Sequence, residues 1–187
     1  MDENPQGLEL FIARQRRKRH LAAHWARLAG LQRGMVVVDF GCGPGILTQE
    51  YARLTGPAGR VYGVEQNREV TAVIGAHDAN VHFVFQDYDL ALNLVHLPDI
   101  IFLTDTPHHL TDPLRVLQRI KAACGAKTTV FIAEYDPEMP GRVGAKLQRR
   151  MPKEHLSNML LTGGFAHDEI FDSEDEHYAV IARCSSG

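Results

Sequence analysis

From residue 35 onward the chain alternates short, nearly continuous apolar runs with segments of helical periodicity. A strand that is apolar on both faces needs helices above and below it, so the alternation predicts βαβ units around a parallel sheet. The runs lie at residues 36–40, 61–65, 81–85, 100–103 and 129–133, which gives five parallel strands. Between them Ile46, Leu47, Tyr51 and Leu54 fall at helical spacing and stop at Gly56-Pro57. Val70, Val73 and Ile74 form a second stripe opening near Asn67, read as another crossover helix. Asp112-Pro113 supplies a cap followed by proline in the first turn, after which Leu114, Leu117 and Ile120 face the sheet until Gly125. A further helix starts near Pro152, carries Leu156, Met159 and Leu160, and ends at Gly163-Gly164. Two strand-like runs at 165–171 and 177–184, separated by an acidic turn, predict a hairpin that adds an antiparallel pair and brings the sheet to seven strands. Residues 1–33 carry Phe11, Ile12, Leu21, Trp25 and Leu28 on one side, have no strand partner, and are expected to form a helical lid over the domain at 34–187.

A chain of 187 residues, 44% hydrophobic and 23% charged, suits one compact domain with a real core. The net charge of −3 provides no global field for nucleic acid or anionic lipid. One basic run, residues 14–19, holds five positive charges and is expected to be a solvated helix face. Cys42, Cys124 and Cys184 are odd in number and far apart, which argues against a disulfide framework and a zinc site. His20 and His24 share a helix face at i, i+4 but lack a third ligand, so no metal is expected. The opening residues contain no apolar signal region and no uncharged run reaches the roughly 18 residues of a membrane span, so a cytoplasmic protein is expected.

The densest chemical signal is Val37-Val38-Asp39-Phe40-Gly41-Cys42-Gly43-Pro44-Gly45-Ile46, a strand that ends in three alternating glycines and enters a helix. Glycines are needed where backbone turns sharply and a ligand approaches it closely, and open α/β sheets bind ligands at the carboxyl ends of their strands. A dinucleotide fingerprint would place Gly or Ala at position 46, where this chain has Ile46. Asp39 would repel a pyrophosphate and suit a cationic ligand group. Glu65 ends the next strand, where a carboxylate can accept from both hydroxyls of a ribose. Asp87 follows the third strand and can accept from an exocyclic amine such as that of adenine.

These residues, with Val64-Glu65-Gln66, Gln86-Asp87 and the stretch 99–110, resemble the motifs of class I S-adenosylmethionine-dependent methyltransferases. The resemblance covers residues 35–184, and His108-His109-Leu110-Thr111-Asp112-Pro113 is similar to the small-molecule branch that includes quinone-biosynthesis enzymes. It implies a Rossmann-like α/β fold, a seven-stranded sheet in the order 3-2-1-4-5-7-6 with strand 7 antiparallel. It also implies S-adenosylmethionine as cofactor and S-adenosylhomocysteine as product. The implied cofactor-binding residues are Gly41, Cys42, Gly43 and Gly45 at the methionine part, with Asp39 toward its ammonium. Glu65 and Gln66 would serve the ribose, Asp87 and Tyr88 the adenine, and Thr104 would close the set from the fourth strand. Leu103-Thr104-Asp105-Thr106-Pro107 departs from the Asn-Pro-Pro-Tyr pattern of base-amine methylation. The acid and lysine set of metal-dependent catechol enzymes has no match.

Methyl transfer from a sulfonium is an in-line displacement that gains much of its rate from positioning in a dry pocket. His108 and His109 follow the fourth strand, and either imidazole is a candidate base for a hydroxyl, thiol or amine acceptor. Tyr135, Cys42 and Trp25 are read as packing residues. The expected partner is a small-molecule methyl acceptor whose reacting atom the sequence leaves open, with membranes excluded and nucleic acid disfavoured. Methylation of RNA or protein, or cofactor binding without catalysis, are the alternatives. The substrate cover is expected from residues 1–33, from residues 135–151, or from a second subunit in a homodimer.

Overall fold

The computed structural model describes residues 5–172 and 175–184. Seven strands run β1 Val36–Phe40, β2 Arg60–Glu65, β3 Val81–Phe85, β4 Ile100–Thr104, β5 Thr129–Tyr135, β6 Phe165–Asp172 and β7 His177–Cys184. They form one sheet in the order β3-β2-β1-β4-β5-β7-β6. The first five are parallel, and β7 pairs antiparallel with both β5 and β6. The helices are α1 Pro5–Arg17, α2 Leu21–Leu28, α3 Ile46–Thr55, α4 Arg68–Thr71, α5 Pro113–Ala123 and α6 Lys153–Thr162.

The apolar runs earn their burial on both faces. Val38, Ile101, Leu103, Val130 and Ile132 point to one side, where Val116, Leu117 and Ile120 of α5 and Leu156 and Leu160 of α6 cover them. Val37, Val61, Phe102, Phe131 and Ala133 point to the other, under Leu21 and Trp25 of α2 and Leu47 and Tyr51 of α3. Tyr51 stacks on Phe102 with ring centroids 4.1 Å apart. The two clusters follow the period of two that alternation across a pleated sheet imposes.

Helix starts follow local chemistry. Asp112 accepts from the Arg115 amide at 3.0 Å ahead of Pro113, as its sequence predicts. Asn67 caps α4 through the Glu69 and Val70 amides, yet the crossover between β2 and β3 is a single turn rather than the longer helix expected from Val70, Val73 and Ile74. Only Val70 of that stripe is buried, and Val73 is 40% exposed. Without a sheet face to cover, the stripe cannot offset the cost of holding Gly75 and two β-branched residues helical. In the other direction β5 runs two residues past its predicted end, because Glu134 and Tyr135 pair with Tyr178 and His177 of β7.

The N-terminal segment is tied to the sheet by charge as well as by apolar contact. A 3-10 turn, Lys18–His20, joins α1 to α2 and buries Lys18. Its ammonium forms an ion pair with Asp105, which follows β4 with a positive φ of 54°. The other Asp105 oxygen accepts from His177 Nε2 at 2.9 Å. Lys18 and His177 together hold the Asp105 carboxyl far below the usual carboxylate range, against the opposing effect of burial. Arg19 also reaches inward, to Glu50 of α3 at 2.5 Å, with its own side chain 66% exposed. The basic run is therefore no continuous patch, since its last two cations are paired.

The two pairs should differ in weight. Lys18→Met leaves Asp105 buried with half its compensation and should cost about 3–5 kcal/mol, lowering the melting temperature by roughly 6 °C or more. Arg19→Ala should cost under about 1 kcal/mol. Thermal unfolding of both variants measures the contrast, and equal effects would contradict it.

Candidate functional site

The carboxyl edge of β1, β2 and β4 brings together most of the residues expected there. Gly41, Gly43 and Gly45 have φ of 78°, 56° and 75°, a region L side chains rarely adopt. Space is also lacking for side chains. A methyl group at Gly41 would overlap the Thr106 hydroxyl, and one at Gly45 would lie 2.6 Å from the Phe83 ring. The ring of Phe11 on α1 lies over Gly43, 3.3 Å from where a Cβ would stand. Cys42 turns inward and is buried, and burial beside Asp39 and Glu65 pushes its thiol pKa well up, which suits packing and not nucleophilic chemistry.

Glu65 organises this turn. One oxygen accepts from the Gly43 amide at 3.0 Å, and the other accepts from the Gln66 and Asn67 amides at 2.9 Å each. Four strongly directional bonds would saturate a carboxylate, and three are in place, all from neutral donors. Asp39 is 1% exposed and accepts from the Thr48 hydroxyl of α3 at 2.6 Å. Its pKa is raised to about 6, chiefly by burial, with the Thr48 bond and the charge of Lys18 opposing. Thr48 escaped the sequence reading because one hydroxyl on an amphipathic helix carries no signal of its own.

The remaining predicted positions are arranged more loosely. Asp87 is exposed and accepts from the Asp89 amide at 2.9 Å, while the Gln66 side chain faces solvent. Tyr88 is buried with its ring 4.6 Å from that of Phe40, so it backs the glycine turn from the core side. Thr104 is buried and offers its carbonyl to the Thr106 hydroxyl at 3.2 Å.

His108 and His109 stand on a 3-10 turn just after β4, Pro107–His109, with ring centroids 4.0 Å apart. Their surroundings differ. The side chain of His108 is 3% exposed, and its Nδ1 lies 2.7 Å from Glu134 Oε2. Glu134 Oε1 accepts from the His108 amide at 3.1 Å. A carboxylate that accepts at both oxygens fixes the proton on Nδ1 and leaves Nε2 as the lone-pair nitrogen. Burial raises the pKa of Glu134, with the two His108 contacts opposing it. His109 is more exposed, and its Nδ1 accepts from Arg149 at 3.3 Å. Its pKa is pushed down to about 4 by partial burial, then by His108 and Arg149. In the sequence Glu134 directly follows the apolar run 129–133, a charge that carries no periodic signal.

His20 and His24 are drawn apart, the first to Asp175 at 2.8 Å and the second to Arg27 at 3.0 Å. Among the described residues no cluster of three metal-ligating side chains forms and no helix is long and apolar enough to cross a membrane. A surface depression of about 550 Å³ lies at the opposite edge of the sheet beside Arg53, Asn80 and His82. The glycine turn, in contrast, is covered by α1.

Comparison with known proteins bears on this edge. A protein from Aquifex aeolicus described as a SAM-dependent methyltransferase superposes with a TM-score of 0.83 at 19% identity, over 97% of this chain and 98% of its own. A TehB-like SAM-dependent methyltransferase from Corynebacterium glutamicum gives 0.70 at 19% identity, over 96% and 99%. Human N-acetylserotonin methyltransferase, solved with SAM, gives 0.69 at 16% identity over 90% of this chain and 52% of its own. At such identities the likeness shows a shared fold. No curated protein matches the chain in sequence. The model of one family, the methyltransferase domain, matches residues 12–175, from α1 through the glycine turn to the β6–β7 turn, and the chain belongs to that family.

Proposed function

We propose that this methyltransferase takes its methyl group from S-adenosylmethionine and delivers it to a small-molecule acceptor held beside β4 and β5. The observation that carries the reading is the Glu65 carboxylate bonded to the Gly43 amide, a ribose-type acceptor placed against a left-handed glycine turn. The residues present fit the cofactor. The turn has no room for side chains, Glu65 keeps unused acceptor capacity, and Asp39 offers a buried carboxylate without a cation in direct contact. When bound, the cofactor supplies a methyl on a positively charged sulfur that leaves as a neutral thioether.

In this reading Glu65 and Gln66 hold the ribose, Asp87 and Tyr88 flank the adenine, and Gly41, Cys42, Gly43 and Gly45 lie along the methionine part. Asp39 faces its ammonium, and Thr104 supports the loop that closes the site from β4. Phe11 over Gly43 excludes water, which strengthens every charge interaction beneath it. His108 accepts the acceptor's proton at Nε2, as Glu134 holds the ring and stabilises the imidazolium that forms. The deprotonated acceptor atom would then be held by these residues in line with the methyl group that the cofactor would supply. A small molecule is favoured over RNA because Lys18 and Arg19 are taken up by Asp105 and Glu50.

Cofactor binding should respond to the two carboxylates in different ways. Glu65→Ala should weaken S-adenosylhomocysteine by roughly tenfold to a hundredfold, measured by calorimetry. The raised pKa of Asp39 means that the folded protein binds a proton there more tightly and that ionised Asp39 is disfavoured until about pH 6. A cationic ligand group favours the ionised form, so affinity should rise about tenfold between about pH 5 and pH 7 and become flat in Asp39→Asn. Flat affinity in the unmodified protein would remove Asp39 from the site.

Catalysis should separate from binding. In a screen of phenol, thiol and amine acceptors, His108→Ala should lower the release of S-adenosylhomocysteine by roughly 10² to 10⁴-fold. Its affinity for that product should stay unchanged. Turnover retained in His108→Ala would leave the reaction to positioning alone.

A further inference from the structure

The segment between β5 and α6 forms a wall beside the histidines, and it is held rigidly. Arg150 is buried and donates to the carbonyls of Asp136 at 2.8 Å, Ala145 at 2.9 Å and Val143 at 2.5 Å. It also pairs with Glu176 at 2.8 Å, and Glu176 accepts from the Gly141 and Arg142 amides. Gly144, with φ of 70°, rests directly on the ring of Tyr135. A segment stapled at both ends and in its middle is a fixed surface and not a loose loop.

On this wall a 3-10 turn, Leu147–Arg149, carries Arg149 to the mouth of the site. Two neighbouring cations are neutralised, Arg150 by Glu176 and Lys153 by Asp136. Arg149 has no carboxylate partner among the described ion pairs and instead meets His109 Nδ1 at 3.3 Å. A guanidinium only donates, so this contact requires neutral His109 with its proton on Nε2. The depressed His109 pKa of about 4 agrees with that state. The guanidinium is thus oriented by a neutral acceptor, keeps its whole charge, and has further donors in its planar fork. It stands one ring away from His108, through the 4.0 Å stack of His109 on His108.

We propose that Arg149, oriented by His109, is the specificity element for an oxyanion on the acceptor, a carboxylate or a phosphate, carried about one ring beyond the atom that His108 deprotonates. This deepens the methyltransferase reading and rests on it. A surface arginine with a carboxylate partner would discriminate poorly, because an incoming anion would have to displace that partner. Arg149 pays no such exchange, and a bidentate contact to carboxylate or phosphate remains open to it.

The test uses the whole protein and histidine-selective NMR, with the His109 imidazole assigned by its loss in His109→Gln. Benzoate and phenyl phosphate are the two anionic probes and benzyl alcohol is the neutral one. At least one anion should shift the His109 signals, benzyl alcohol should not, and Arg149→Gln should weaken the responding anion by roughly tenfold or more. The stronger of the two anions identifies which oxyanion the fork prefers, and Arg149→Lys, which keeps the charge without the fork, should retain only part of the binding. No His109 shift with either anion, an equal shift with benzyl alcohol, or a response unchanged in Arg149→Gln would overturn the proposal. S-adenosylhomocysteine binding measured on the same samples separates the two failures. If that ligand binds and the anions do not, this inference alone falls. If the anions bind and that ligand does not, the oxyanion subsite stands while the cofactor reading falls.

Discussion

Between Phe40 and Ile46 the backbone passes through the left-handed region at three alternate residues, and that path decides what else this edge of the sheet can be. It turns β1 into α3 within a few residues, aligns the Gly43 amide with Glu65 of β2, and brings Thr106 after β4 into contact with Gly41. With a side chain at Gly41 or Gly45, Thr106 or Phe83 would have to move, and with them β4 or β3. The same absence of Cβ atoms lets Phe11 of α1 lie close over Gly43. One constraint therefore serves the packing of three strands and the shape of the site.

Asp39, Glu65, Asp105 and Glu134 lie buried along the carboxyl edge, and the charges around them divide that edge in two. Asp39 and Glu65, on β1 and β2, are met by hydroxyls and backbone amides, with no ion pair at either among the described residues. Neutral donors stabilise a carboxylate without cancelling its charge, so this half keeps a negative field suited to a cationic ligand. Asp105 and Glu134, after β4 and in β5, are met by Lys18, His177 and His108. There the charge is compensated, and the Lys18–Asp105 pair ties the N-terminal segment to the sheet. Arg149 adds a positive fork beyond the second half. In the proposed reading the order of strands would also be an order of functions, with the cofactor at β1 and β2 and the acceptor at β4 and β5.

How much of this was legible depends on the range of the interaction. The strands, α3, α5, α6 and the hairpin follow from local periodicity and capping, which a sequence displays directly. The glycine turn, Asp39 and Glu65 were legible because spacing within two strands and one turn fixes their relation. The short α4 departs from the periodicity because Val73 and Ile74 resemble a buried stripe, whereas Val73 is exposed and Ile74 only half-buried beside the sheet. Lys18 with Asp105 spans 87 positions, and Asp105 with His177 spans 72. No periodicity links such partners, and Lys18 sits in a run whose composition points outward to solvent. His108 and His109 were identical in sequence terms, and Glu134 on β5 and Arg149 on the wall distinguish them.

What binds at the glycine turn decides whether this edge of the sheet is a cofactor site. Backbone amide NMR during titration with S-adenosylhomocysteine tests this most directly, because it reports which part of the chain responds as well as whether binding occurs. The largest changes should fall on Gly41, Cys42, Gly43 and Gly45 and on the Val64–Asn67 stretch, where the Glu65 carboxylate would exchange or share its bonds. An absence of change, or changes centred on the depression at Arg53, Asn80 and His82 on the opposite edge, would contradict it.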